Sequence, residues 1–189
     1  MDVFVYSRDA AGTEALRDDD ELLEEHWSYM DAYAATMIAR GPTFAADRET
    51  VTGSLHVLGL PDVDAAREFV AREPNNRAGV YGEHFLWRFD NLLGRTMWEF
   101  AGAGDEPRFL VVVRSTRSAD PPERLPAGLR ERLILYGGLR SLAAAEPVGV
   151  ALALQAGSRQ AVAERLADAR IASETDDVEI HEWEFGGRR

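Results

Sequence analysis

Histidine and carboxylate side chains are the groups in this sequence whose types and positions suit acid–base chemistry. His26 lies next to Trp27 in a stretch predicted to be helical, and Glu73 stands directly before a proline. A carboxylate bonded to an imidazole fixes one tautomer and leaves the other ring nitrogen as a general base. His26 and Glu73 are therefore the candidate catalytic residues. The alternatives are that His26 is exposed beside Glu24 and Glu25, and that Glu73 only marks a helix end.

Four further side chains near this pair are candidates for binding a substrate. Trp27 offers an apolar wall beside His26, and Asn75 and Arg77 follow Glu73 closely enough to hold a carboxylate or phenolate. Tyr81 opens the next predicted strand and could wall the same pocket. The alternative for Arg77 is a solvated side chain, and the alternative for Tyr81 is packing in the core or at a sheet edge.

Composition and spacing exclude other chemistry. The chain has no cysteine and no lysine, which rules out thiol nucleophiles, thiolate metal sites and Schiff-base catalysis. No serine lies in a Gly-x-Ser-x-Gly elbow, and no glycine-rich turn opens a dinucleotide-binding unit. His26, His56 and His84 lack the short spacing of zinc motifs, so we expect neither a metal nor a cofactor. We interpret His56, His84 and His181 as strand residues at an edge or partly buried.

The charge and hydropathy of the chain limit the classes of partner that we expect it to bind. The 189 residues include 33 acidic and 21 basic side chains, all of the latter arginine, which gives a net charge of −12. Nucleic acids and anionic membranes call for a basic face, so we expect neither as a partner. No apolar run approaches the roughly 20 residues that span a bilayer, and the first residues lack the pattern of a signal peptide. We therefore expect a soluble cytoplasmic protein with a small-molecule ligand.

The first half of the chain predicts an alternation of strands and helices. Spacings of three and four residues between apolar positions predict a helix over 21–40, ended by Gly41-Pro42. A second helix should open at Pro61-Asp62 and stop before Pro74. The predicted strands are residues 3–6, 44–46, 53–60 and 80–89. The resulting order, β-α-β-β-α-β, is the ferredoxin-like order.

The second half predicts a similar order. We expect helices over 129–136, ended by Gly137-Gly138, and over 159–169, capped by Ser158. The predicted strands are residues 109–113, 141–144, 148–154 and 178–185.

The two halves can be superimposed at an offset of about 96–97 residues. Gly41 then falls on Gly138, Gly53 on Gly149, and the Trp-x-Phe pair at 87–89 on that at 183–185. We interpret the chain as an α+β protein of two tandem ferredoxin-like units, packed sheet to sheet as an internal pseudo-dimer. Its divisions would be unit one (1–92), a linker or extension (93–107) and a diverged unit two (108–189). Whether the pseudo-dimer dimerises again stays open.

Several motifs in the first half resemble the YCII-related family. They are Glu25-His26-Trp27-Ser28-Tyr29-Met30, Arg40-Gly41-Pro42, Thr52-Gly53-Ser54-Leu55-His56-Val57, Ala71-Arg72-Glu73-Pro74-Asn75 and Ala78-Gly79-Val80-Tyr81. A further stretch, 93–100, looks like the extension of longer bacterial members. The resemblance implies a ferredoxin-like unit that pairs through its sheet. It also implies a functional histidine at His26 and a carboxylate at Glu73, where the family has an Asp-Pro pair. A dehydrochlorinase of aromatic degradation is among the relatives.

Two functions follow as hypotheses. The first is a small-molecule enzyme that uses His26 and Glu73 for elimination, isomerisation or hydrolysis of an aromatic or carbonyl compound. The second is a non-catalytic ligand-binding or protein-interaction module, because a fold does not fix a function. The offset carries no histidine onto the position of His26 in the second half, so we expect that half to have no site of its own.

Overall fold

Antiparallel strands and short helices alternate along the chain in a computed structural model that describes residues 1–102, 104–115, 120–122 and 124–187. The strands are β1 (Asp2–Asp9), β2 (Met37–Phe44), β3 (Val51–Gly59), β4 (Tyr81–Asn91), β5 (Arg108–Arg114), β6 (Leu133–Ser141), β7 (Pro147–Gln155) and β8 (Asp177–Trp183). The helices are α1 (Glu14–Arg17), α2 (Asp20–Asp31), α3 (Val63–Arg72), α4 (Pro74–Arg77), α5 (Ala127–Arg130) and α6 (Arg159–Asp168). None of these described helices is long and apolar enough to cross a membrane.

The strands of both halves form one closed barrel. The first half contributes the neighbours β4-β1-β3-β2, and the second contributes β8-β5-β7-β6. Hydrogen-bonded seams join the halves where β2 pairs with β8 and where β4 pairs with β6. We expected two units packed sheet against sheet; the structure adds these seams, so that the described part of the chain is one barrel. Parts of the predicted linker and second unit, residues 103, 116–119, 123 and 188–189, lie outside the described residues.

Apolar side chains fill the barrel and also cover its outside. Phe4, Leu55, Leu110, Val112 and Trp183 are among the buried residues that meet inside the barrel. Alternate residues of the same strands point outward, as the two-residue period of a strand requires. In the first half the outward side packs against α2 and α3, and in the second half against α6.

Several helix boundaries agree with the sequence prediction. Helix α3 begins after Asp62, whose carboxylate accepts a hydrogen bond from the Ala65 amide, and ends at Arg72 before the proline. Helix α6 begins after Ser158, whose hydroxyl accepts from the Ala161 amide. These side-chain caps satisfy amides that the first turn of a helix leaves without partners.

The helix predicted over 21–40 is wrong in its second half. Helix α2 ends at Asp31, and β2 begins at Met37. The spacing of apolar residues around Met37 fits a helix, but residues 37–44 pair with β3 as a strand that has a register shift between Met37 and Ala39. A short apolar run fits either period, and sheet pairing decides between them.

Gly41-Pro42 is therefore part of a strand and does not end a helix. A Cβ atom on Gly41 would lie 1.9 Å from the carbonyl oxygen of Glu184. The glycine thus permits the close approach of β2 to the chain that follows β8. The prediction that this glycine ends a helix is wrong, and its place in the fold is a strand contact between the two halves.

Two predictions in the second half are also wrong. The helix expected over 129–136 is a single turn, α5, followed by β6, which includes Gly137 and Gly138. A Cβ atom on Gly137 would lie 2.2 Å from the carbonyl oxygen of Asp90, so this glycine serves the β4–β6 seam. Residues 142–144, expected in a strand, form the turn between β6 and β7. Glycine at a close backbone contact was mistaken for glycine at a helix end.

Candidate active site

His26 and Glu73 meet on the outer, helix-covered side of the first half. His26 projects from α2, which starts after Asp19, and Glu73 stands between α3 and α4. The distance between His26 Nδ1 and Glu73 Oε1 is 2.5 Å. The other carboxylate oxygen, Oε2, accepts a hydrogen bond from the Asn76 amide at 2.7 Å and so caps α4. With 3% of its surface exposed, Glu73 is held by both oxygens.

This contact selects the tautomer of His26. An ionised carboxylate only accepts hydrogen bonds, so the proton of a neutral His26 ring lies on Nδ1. Nε2 then carries a lone pair and can accept a proton from a bound molecule. The contact therefore holds the imidazole of His26 in one orientation through a buried carboxylate.

A cavity of about 270 Å³ lies beside this pair. His26 and Trp27 of α2 line it together with Arg40 of β2 and His56 of β3. Phe185, after β8, closes it from the second half of the chain. Its volume is near the lower end of the ~300–1,000 Å³ typical of small-molecule sites. The cavity therefore suits a compact ligand, and both halves contribute to its wall.

The segment after β8 is held in place by backbone contacts to β2. The Gly186 amide donates to the carbonyl oxygen of Arg40 at 3.0 Å. In return, Nε of Arg40 donates to the carbonyl oxygen of Gly186 at 3.2 Å. Phe185, between these contacts and the end of β8, is thus a fixed part of the cavity wall.

The remaining residues predicted to bind substrate occupy different places. Trp27 lines the cavity. Asn75 and Tyr81 are buried behind Glu73, where Asn75 Nδ2 lies 3.4 Å from Tyr81 Oη. Burial, followed by the charge of Glu73, raises the pKa of Tyr81 to about 12. Arg77 is exposed and does not line the cavity.

His56 is a site residue that sequence reasoning missed. It is 3% exposed, and its ring centroid lies 5.6 Å from that of His26. Burial lowers its pKa well below the ordinary value, and the charges of His26, Arg17 and Arg40 lower it further. The neutral form of its imidazole is therefore favoured. Its strand was predicted, but only the pairing of β3 with β2 places His56 opposite Arg40.

Arg17 was also missed, because residues 9–20 carry no apolar period. Its guanidinium binds both carboxylate oxygens of Asp9, with Nε to Oδ2 at 2.9 Å and Nη2 to Oδ1 at 2.5 Å. It also donates to the Ser54 hydroxyl at 3.2 Å and lies over the ring of Tyr81. Such two-point pairing holds the guanidinium rigidly at the edge of the cavity.

His84 belongs to a network behind the pair. Asn76 Nδ2 donates to the carbonyl oxygen of Val70 at 2.9 Å, which turns Asn76 Oδ1 towards His84 Nε2 at 2.8 Å. His84 Nε2 is therefore the donor, and Nδ1 accepts from the Ser7 hydroxyl at 2.9 Å. Burial lowers the pKa of His84, in keeping with a neutral ring. The network fixes Asn76, whose amide binds Glu73.

The second half has a concave surface of its own, contrary to expectation. A groove of about 460 Å³ lies between β5, β7 and the end of α6 and includes Asp120, Arg170 and Asp176. It contains no histidine. His181 lies elsewhere, at a seam between the halves, with Nε2 3.1 Å from Glu179 Oε2. The described residues contain no cluster of three or more side chains suited to a metal ion.

Comparisons with solved structures found several similar proteins. A dehydrochlorinase of 5-chloro-2-hydroxyhydroquinone from Burkholderia phenoliruptrix AC1100 is 24% identical, over 48% of this chain and 94% of that one, with a TM-score of 0.44. A provisionally assigned monooxygenase from Lactobacillus acidophilus NCFM is 6% identical, over 96% and 93% of the two chains, with a TM-score of 0.52. A provisionally assigned chlorite dismutase is 11% identical, over 98% and 96%, with a TM-score of 0.52.

The last two likenesses extend over nearly the whole chain and show an α+β barrel fold shared by both halves. No curated protein matches the sequence. Residues 1–90, which carry His26 and Glu73, match the family model of the YCII-related domain. The part of the chain that holds the candidate pair is therefore similar to the YCII-related domain.

Proposed function

We propose that the protein is a small-molecule enzyme in which His26 acts as a general base and Glu73 orients it. The observation that carries the proposal is the 2.5 Å contact between the two side chains at the wall of a cavity. A general base must face the proton that it removes, and Nε2 of His26 is the ring nitrogen left available for this. The reaction class is proton abstraction followed by elimination or isomerisation, as in a lyase, a dehydrochlorinase or an isomerase.

The lining supports an aromatic or carbonyl substrate. Trp27 and Phe185 supply flat apolar surfaces, while His56 and Arg40 supply polar groups. Asn75 and Tyr81 would support Glu73 from behind. A non-catalytic binding module is the alternative. It would not require a buried carboxylate to orient an imidazole, and this pairing favours the enzyme.

We also propose that the halves are diverged copies of one ferredoxin-like unit. Both have the same strand order, and glycines at matching positions allow the same close contacts. A Cβ on Gly53 would lie 2.3 Å from the Ser7 carbonyl oxygen, and one on Gly149 would lie 1.9 Å from that of Val113. The second copy then contributes the wall at Phe185 that closes the site of the first.

The function can be tested by a screen of hydroxylated aromatic and carbonyl compounds in heavy water, with NMR to detect deuterium uptake or conversion. His26→Asn keeps a side-chain donor for Glu73 but removes the base, so we expect turnover to fall by about 10²–10⁴-fold. His181→Asn, outside the cavity, is the matched control and should keep its activity. Turnover that survives His26→Asn would contradict the mechanism.

A further inference from the structure

His56 lies in the same cavity as His26 but is held differently. The edge of the Phe69 ring packs against it, with centroids 5.9 Å apart. Within the described part of the chain, neither ring nitrogen of His56 has a hydrogen-bond partner. Among the described residues, the fully enclosed polar atoms that lack a partner do not include the ring nitrogens of His56, so a ligand or water can reach them. The cavity at its side is where such a partner can bind.

The surroundings of His56 keep its ring neutral. Arg40 faces it from β2, His26 from α2 and Arg17 from α1. A smaller internal cavity places further titratable groups around it: Glu73, Tyr81 and His84. Four of these neighbours, two arginines and two histidines, are cations or can become one, so a further positive charge on His56 is disfavoured. A neutral imidazole has one N–H donor to offer.

We propose that His56 donates a hydrogen bond to a substrate oxygen that becomes anionic, and that the substrate is therefore a phenol or an enolisable carbonyl compound. This inference rests on the proposed function of His26. The substrate's C–H or O–H proton passes to His26 Nε2, and the electron pair of that bond ends on the substrate oxygen. The N–H of His56 binds this oxygen. No oxidant, reductant or co-reactant is needed.

A neutral imidazole suits this role better than a charged one. Its N–H stabilises a developing oxyanion without handing over a proton or repelling the imidazolium that forms on His26. The rings are near enough for one small molecule to contact both, with centroids 5.6 Å apart. His26 accepts the proton of the substrate, and His56 donates a hydrogen bond to the substrate oxygen.

The coloured phenol para-nitrophenol tests this assignment, because its ionisation can be followed by absorbance. We expect binding to the wild-type protein to lower the apparent pKa of the probe by about one unit, a tenfold shift towards phenolate. His56→Phe should abolish the shift, and His56→Gln, which keeps an N–H donor, should retain most of it. His181→Phe is the matched control and should behave as the wild type. Failure of the wild type to bind the probe, or an equal shift in His56→Phe, would overturn the assignment.

A second measurement does not depend on the folding of a variant. In wild-type protein with isotope-labelled histidines, adding para-nitrophenol should move the ring-nitrogen resonances of His56; unchanged resonances would overturn the proposal. The two proposals fail separately. If turnover survives His26→Asn, the proposal that His26 is the base is rejected, while the proposed contact between His56 and the substrate oxygen still stands. If the pKa of para-nitrophenol does not depend on His56 and turnover still requires His26, only the proposed contact of His56 is rejected.

Discussion

The outer faces of the two half-barrels differ although their strands follow the same order. Under α2 and α3, the first half buries the polar side chains Ser7, Arg40, Ser54, His56, Glu73 and Asn75. Under α6, the second half packs Val111, Leu129, Leu152, Leu154, Val162 and Leu166 into an apolar cluster. Buried polar groups cost free energy unless they are satisfied, so they are kept where they do chemistry or specify structure. The proposed function predicts such a difference, with the site in the first half and a supporting role for the second.

The largest expected effect on stability lies in the supporting half. Leu152 is fully buried in the apolar cluster under α6. Leu152→Ala should lower the free energy of unfolding by about 2–5 kcal/mol in a denaturant titration. Binding of para-nitrophenol by the remaining folded protein should be unchanged, because Leu152 does not line the cavity. Loss of binding in the folded variant would show that the halves are not divided in this way.

A smaller loss is expected when the buried carboxylate of the first half is neutralised. In Glu73→Gln the side chain has only one oxygen. It cannot accept hydrogen bonds from both His26 Nδ1 and the Asn76 backbone amide, because its own NH₂ group would face one of these donors. We expect a loss of about 1–3 kcal/mol in the free energy of unfolding. The exposed Glu164 of α6 is the matched control, and Glu164→Gln should change stability by no more than about 0.5 kcal/mol. If Glu73→Gln and Glu164→Gln lowered the free energy of unfolding equally, the buried carboxylate of the first half would have no special role in stability.

The pH dependence of stability should reflect the buried histidines of the first half. Burial is the main cause that lowers the pKa values of His56 and His84 from the ordinary value of 6.5. Below about pH 6.5 the unfolded chain therefore binds protons that the folded chain does not, and stability falls with pH. The buried His56 contributes up to about 1.4 kcal/mol per pH unit, and the half-buried His84 contributes less because solvent screens its surroundings.

Denaturant titrations between pH 7 and 5 measure this slope. His56→Phe should flatten it. Glu179, whose pKa is lowered to about 2 mainly by its hydrogen bond to His181, adds its own loss only below about its ordinary value of 4.5. Stability that stays constant between pH 7 and 5 would contradict the buried, neutral state of His56 and His84.

Local signals in the sequence predicted much of the first half. Asp62 before an apolar period predicted α3, and Glu73 before a proline predicted a helix stop, whereas the pairing of Glu73 with His26 came from the resemblance to the YCII-related family. These features depend on a few neighbouring residues. The end of α2 depends instead on sheet pairing. Met37 pairs as the first residue of β2, although the spacing of the apolar residues around it also fits a helix.

The rest of the site depends on contacts between distant segments. His56 reaches the cavity through the register of β3 on β2, and Phe185 through the seam that closes the barrel. Arg17 is fixed by Asp9 and Ser54 from two different strands. No local sequence pattern encodes these contacts. The sequence therefore indicated His26 and Glu73 as candidates but did not indicate His56.

The tautomer of His26 tests the central claim most directly, because it needs no substrate. Nitrogen NMR of isotope-labelled histidine side chains distinguishes a protonated ring nitrogen from one with a lone pair. We predict a proton on Nδ1 and a lone pair on Nε2 in the wild-type protein at neutral pH, and a loss of this preference in Glu73→Gln. A proton found on Nε2 in the wild type, or a tautomer unaffected by Glu73→Gln, would contradict the account.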